Sequence, residues 1–140
     1  MIDFSQFELD HVAIAVESIE KALPFYQALG FPTHHIEEVP SEKVRTCFLE
    51  LKNRVSVELL EAMSDDSPIT NFLKKRGPGI HHMCYRVQNI EAVVAQVKAA
   101  GVQLINEVPK KGAHNCKVVF VHPKSSGGVL IEFSEKMGDS

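Results

Sequence analysis

The chain has 140 residues and a mass of 15.6 kDa, enough for one domain with a substantial core. Its 44% hydrophobic and 24% charged residues argue against disordered and fibrous classes, and a net charge of −3 without a basic block argues against nucleic acid as a partner. No apolar run approaches the roughly 18 residues of a membrane span, Met1-Ile2-Asp3-Phe4 has no signal-peptide character, and three scattered cysteines (Cys47, Cys84, Cys116) suit a reducing, cytoplasmic setting.

In chain order, residues 9–16 carry β-branched and apolar residues and read as a strand. Ser18 then caps a predicted helix whose stripe is Ile19, Ala22, Leu23, Tyr26 and Leu29, with a kink expected at Pro24. His34 and His35 fall in a polar connection. Two strands follow, Thr46 to Leu51 and Val55 to Leu60, turning at Asn53. Ser64 to Gly79 is a linker with a short helix, capped by Ser67 and opened by Pro68. Residues 80–87 are again a strand. Asn89 caps a second long helix with Ile90, Val93, Val94 and Val97 on one side, and Gly101 ends it. Val118 to His122 and Gly128 to Phe133 close the chain as strands.

These elements are two copies of one β-α-β-β(-β) unit. Leu9-Asp10-His11-Val12-Ala13-Ile14-Ala15-Val16 overlies Ile80-His81-His82-Met83-Cys84-Tyr85-Arg86-Val87, and Gly30 overlies Gly101, both 71 residues on. Val57-Glu58-Leu59 overlies Ile131-Glu132-Phe133 at an offset of 74. The second copy has therefore gained three residues, which the spacing assigns to Pro109 to His114.

Strand alternation puts His11 on the face opposite Val12, Ile14 and Val16, and His82 on the face opposite Met83, Tyr85 and Val87. Glu58 and Glu132 each interrupt an apolar strand, where a carboxylate costs several kcal/mol unless paired or bound to a metal. A lone histidine or glutamate in such a place is usually structural. The repeat pairs His with His and Glu with Glu, and a pseudo-twofold axis between modules would gather two imidazoles and two carboxylates, donors suited to a borderline divalent ion. His81 points away from His82, toward the core or a supporting role. His114 and His122, near Lys111, Lys117 and Lys124, suit an anionic ligand or a solvated loop equally.

The sequence resembles the vicinal oxygen chelate superfamily, and within it the methylmalonyl-CoA epimerases. The segments that carry the resemblance are Leu9 to Val16, Val57-Glu58-Leu59-Leu60, Asp66-Ser67-Pro68-Ile69, Gly79-Ile80-His81-His82-Met83, Lys111-Gly112-Ala113-His114, and His122-Pro123-Lys124 followed by Gly128-Val129-Leu130-Ile131-Glu132. The resemblance implies an α+β fold of tandem βαβββ modules forming one curved, eight-stranded mixed sheet around a metal site. It implies a single domain over 8–135, made of one module at 8–62, a linker with a short helix at 63–78 and a second module at 79–135. By the same resemblance His11, Glu58, His82 and Glu132 are the ligands of one divalent ion, with cobalt, zinc, nickel, manganese and iron undecided among them. The implied reaction is epimerisation of a 2-substituted malonyl-CoA thioester through a metal-bound enolate.

Some epimerases have a non-ligand glutamate as a base on the strand after the first helix, a position that falls here on Thr46. The symmetry then assigns the two proton transfers to Glu58 and Glu132. Thr46, Lys111, His114, Lys117 and Lys124 are the expected substrate contacts, and the family implies a homodimer. The same four ligands also occur in glyoxalase I, which acts on a glutathione hemithioacetal, and this is the alternative enzyme reading. A metal-free binding module, as in the bleomycin-sequestering relatives, is the alternative outside catalysis.

Overall fold

The computed structural model describes residues 2–31 and 34–138. Strand β1 (Glu8–Ala15) leads into helix α1 (Ile19–Ala28), followed by β2 (His35–Val39), β3 (Val44–Glu50) and β4 (Ser56–Ala62). Helix α2 (Pro68–Arg76) precedes β5 (Gly79–Arg86), α3 (Ile90–Ala99), β6 (Lys110–Lys111), β7 (Cys116–Val121) and β8 (Ile131–Lys136). The strands form one mixed eight-stranded sheet in the order β2-β3-β4-β1-β5-β8-β7-β6. The expected β-α-β-β-β series is present in both halves. Strand β2 corrects the reading of His34 and His35 as plain connection: His35 opens a strand antiparallel to β3. Its side chains are largely exposed, so it lacks the apolar alternation that reveals a strand in sequence.

The chain divides into two compact units, one of residues His11–His81 and one of residues up to Asp10 with those from His82 onward. In the first, β1 runs parallel to β4, and β4, β3 and β2 pair antiparallel in succession. Val16, Ile19, Leu23, Cys47, Leu49 and Leu59 form its core against α1. In the second, β5 runs parallel to β8, with β8, β7 and β6 antiparallel, and Val87, Ile90, Val93, Val94, Leu104, Val119, Val121 and Phe133 pack under α3. The N-terminal residues join this second unit. Ile2 exchanges two 2.8 Å hydrogen bonds with the Gln96 amide, and Phe7 packs on Phe133.

The two long helices begin and end in the same way. Ser18 accepts from the Lys21 amide and Asn89 from the Ala92 amide. At the other end, Gly30 and Gly101 adopt φ of 92° and 86°, which only glycine does without strain. The amides of Phe31 and Val102 reach back to the carbonyls of Tyr26 and Val97, closing Schellman motifs. Helix α1 continues through exposed Pro24, which forgoes one amide donor without ending it.

Candidate active site

In the first unit, β1 presents His11 and β4 presents Glu58, each at most 6% exposed. Their Nε2 and Oε1 atoms are 3.2 Å apart. Phe48 on β3, cross-strand from Glu58, packs edge-on against the His11 ring with centroids 5.9 Å apart. The second unit repeats this trio. His82 Nε2 lies 3.1 Å from Glu132 Oε1, and Phe120, cross-strand from Glu132, meets the His82 ring edge-on at 5.7 Å. Two buried carboxylates, each against a buried imidazole, are what the cost of burying charge demands. Imidazole nitrogen and carboxylate oxygen are also the donors of borderline divalent ions, so both pairs fit metal ligation chemically.

Register relocates part of the insertion. Phe48 and Phe120 are 72 residues apart, and ten residues separate Phe48 from Glu58 where twelve separate Phe120 from Glu132. One extra residue therefore precedes β7, and the other two lie in the β7–β8 turn, not in Pro109 to His114. That intermediate offset hides the equivalence of the two phenylalanines in the sequence.

The halves differ beside the carboxylates. Cys84, the neighbour of Glu132 across β5 and β8, donates to the Ser134 hydroxyl at 3.2 Å, both buried. The first unit has Ala13 and Leu60 at these positions. Burial, then the negative charge of Glu132, pushes the Cys84 thiol well above its ordinary pKa.

A second repeated device holds each helix to its sheet. Glu61 accepts from the Ile19 amide at 2.8 Å, and Glu135 from the Ile90 amide at 2.7 Å. Arg45, opposite Glu61, bridges Glu61 at 2.9 Å and Glu20 at 3.3 Å. Lys117, opposite Glu135, bridges Glu91 at 2.7 Å and Glu135 at 3.7 Å. The hydrogen bond to Glu91 and the charges of Glu135 and Glu91 raise the Lys117 pKa, as those of Glu61 and Glu20 raise Arg45. Lys117, expected at the substrate, thus stands where Arg45 stands, engaged with the helix.

Lys111 lies opposite Lys117, on the face away from Phe120 and Glu132. Lys124 is exposed in the 3-10 turn Pro123–Ser125, whose first amide is capped by His122 Nδ1 at 3.0 Å. His114 is exposed with φ of 58°. Thr46 is buried on the Phe48 face and donates to the Glu37 carbonyl at 3.4 Å. His81 packs edge-on against Phe72 of α2 at 5.0 Å. Four residues before Thr46, half-buried Glu42 in the turn Pro40–Glu42 has its Oε1 shielded from solvent.

Residues 10–120 match the family model described as the Glyoxalase/Bleomycin resistance protein/Dioxygenase superfamily. Over 129 residues the chain is 42% identical to the mitochondrial methylmalonyl-CoA epimerase of Homo sapiens, covering 91% of this chain and 73% of the human protein. The crystal structure of methylmalonyl-CoA epimerase from Mycobacterium tuberculosis superposes with a TM-score of 0.91 at 34% identity, covering 99% of this chain and 94% of that one. A methylmalonyl-CoA epimerase in complex with methylmalonyl-CoA and NH4+ superposes with a TM-score of 0.90 at 28% identity, covering 95% and 96%. With whole-chain likeness added to the paired histidines and carboxylates, this protein belongs to the glyoxalase/bleomycin resistance protein/dioxygenase superfamily and, within it, to the methylmalonyl-CoA epimerase family.

Proposed function

We propose that the protein epimerises methylmalonyl-CoA, or a closely related 2-substituted malonyl thioester, with one divalent ion held by His11, Glu58, His82 and Glu132. The observation that carries this reading is the duplicated His–Glu contact, buried at equivalent positions of a chain akin to methylmalonyl-CoA epimerases over its length. A divalent ion held there supplies Lewis acidity, stabilising the negative charge that develops when the α-proton leaves. The choice of ion among cobalt, zinc, nickel, manganese and iron follows availability more than this donor set.

Inverting the α-carbon needs a base on one face of the planar enolate and an acid on the other. Glu132 takes one face. The first unit offers two carboxylates for the other: Glu58, its symmetry counterpart, and Glu42, whose Oε1 is shielded from solvent in the turn that precedes β3. Thr46, buried and donating to a carbonyl, is a poor base. Glu132→Gln is expected to abolish turnover. If Glu58 is the second base, Glu58→Gln loses at least about a hundredfold in turnover with metal still bound and Glu42→Gln stays near normal; if Glu42 is, the order reverses.

The deciding experiment measures deuterium wash-in at the α-carbon of methylmalonyl-CoA beside a hemithioacetal isomerisation assay. Exchange with the first substrate alone supports the proposal; activity with the hemithioacetal alone makes the protein a glyoxalase I, and loss of neither activity on metal removal discards the ion. A homodimer is part of the proposal, supported by edge strands β2 and β6 at the two ends of the sheet order, and light scattering after size exclusion tests it. No helix among the described residues is long and apolar enough to cross a membrane. The proposed cytoplasmic location draws support from three free cysteines, and cell fractionation checks it.

A further inference from the structure

Strand β6 lays Lys110 opposite Val118 and Lys111 opposite Lys117. Cross-strand partners share a face, and Val118 shares its face of β7 with Phe120, two residues on. Lys110 therefore stands on the Phe120, Glu132 and His82 face, whereas Lys111 and Lys117 stand on the helix side. Its ammonium sits 5.8 Å from the centroid of the Phe120 ring, the same ring whose contact with His82 braces the second His–Glu pair. An aromatic face attracts a cation and limits where it roams.

The equivalent place in the first unit holds the opposite charge. Glu37 lies opposite Thr46, two residues before Phe48, as Lys110 lies opposite Val118, two residues before Phe120. The repeat that duplicates the His–Glu–Phe trio thus inverts the charge on the adjoining edge strand. A symmetric donor set cannot by itself tell the two ends of a malonyl unit apart, one a thioester and the other a carboxylate. A cation in one unit and an anion at the equivalent position of the other can.

We infer that Lys110 receives the free carboxylate of the acyl substrate and so fixes which end of the malonyl unit lies toward the second His–Glu pair. The inference rests on the proposed malonyl thioester substrate. A carboxylate is one carbon removed from the thioester carbonyl, whereas the coenzyme phosphates lie at the far end of the pantetheine chain. Carboxylate rather than phosphate therefore suits a cation sharing a ring with His82.

Calorimetric binding of methylmalonyl-CoA and of propionyl-CoA, the same thioester without the free carboxylate, tests this in the metal-loaded wild type, Lys110→Met and Lys110→Arg. Lys110→Met keeps a long stem over Phe120 and is expected to raise Kd for methylmalonyl-CoA about tenfold or more, leaving propionyl-CoA within about twofold. Lys110→Arg is expected to restore most of the loss. Equal weakening of both ligands, or of neither, in an otherwise active protein overturns the inference alone. A wild type that neither prefers methylmalonyl-CoA nor exchanges its α-proton overturns the proposed function, and this inference with it.

Discussion

The thiols of Cys47 and Cys84 are pushed above their ordinary range chiefly by burial, which disfavours the thiolate that reacts with electrophiles. Cys116, on β7, is half-exposed and within reach of a reagent. Native protein treated with a disulfide reagent near pH 8 is expected to release one equivalent quickly and two more only on unfolding; Cys116→Ser should remove the fast one. His11, Glu58, His82 and Glu132 are legible in the sequence because a polar residue that recurs at one place in a repeated apolar strand is rare. Phe48 and Phe120 are not, since an aromatic in a strand has a sufficient explanation in packing.

At the scale of elements, a carboxylate from the last long strand of each unit caps a helix, and a cation from the neighbouring strand ties that carboxylate to the first helical turn. Glu61→Ala and Glu135→Ala are each expected to cost about 1 kcal/mol of stability in urea unfolding, the usual worth of an N-terminal cap. Lys117 holds the Glu91 carboxyl below its usual range, and backbone hydrogen bonding, with Arg45, does the same for Glu20. Groups with lowered folded pKa add stability above the unfolded value and lose it as pH falls through the folded one. Stability should therefore decline below about pH 4.5, and Lys117→Met should flatten part of that decline in acid titrations followed by circular dichroism. Asp66, hydrogen-bonded by Lys43 and Ser64, is lowered to about 2, so its carboxyl should stay ionised until close to that pH, and Lys43→Met should bring its NMR midpoint back toward 3.8.

For the whole molecule, a ligand that binds only the folded chain stabilises it by mass action, reaching about 4 kcal/mol at a thousandfold excess over Kd. Stripping divalent ions with a chelator is expected to lower Tm, and His11→Ala and His82→Ala should each remove that dependence. A core truncation acts otherwise: Leu59→Ala, at a fully buried position, should cost about 2–5 kcal/mol whether or not metal is present, as denaturant titrations would show.

The sequence by itself determined the repeat, both long helices with their caps and glycine ends, and the four residues of the two His–Glu pairs. Each of these is written in local periodicity or in positions that recur along the chain. Only the tertiary structure decided which strand faces which. Cross-strand register committed Lys117 to Glu91 and Glu135, turned Lys111 to the helix side, set Lys110 over Phe120 and put two of the three added residues in the β7–β8 turn. Register joins residues distant in sequence, and a one-residue shift moves a side chain to the opposite face, so the partner of each cation depends on pairings that no local pattern encodes.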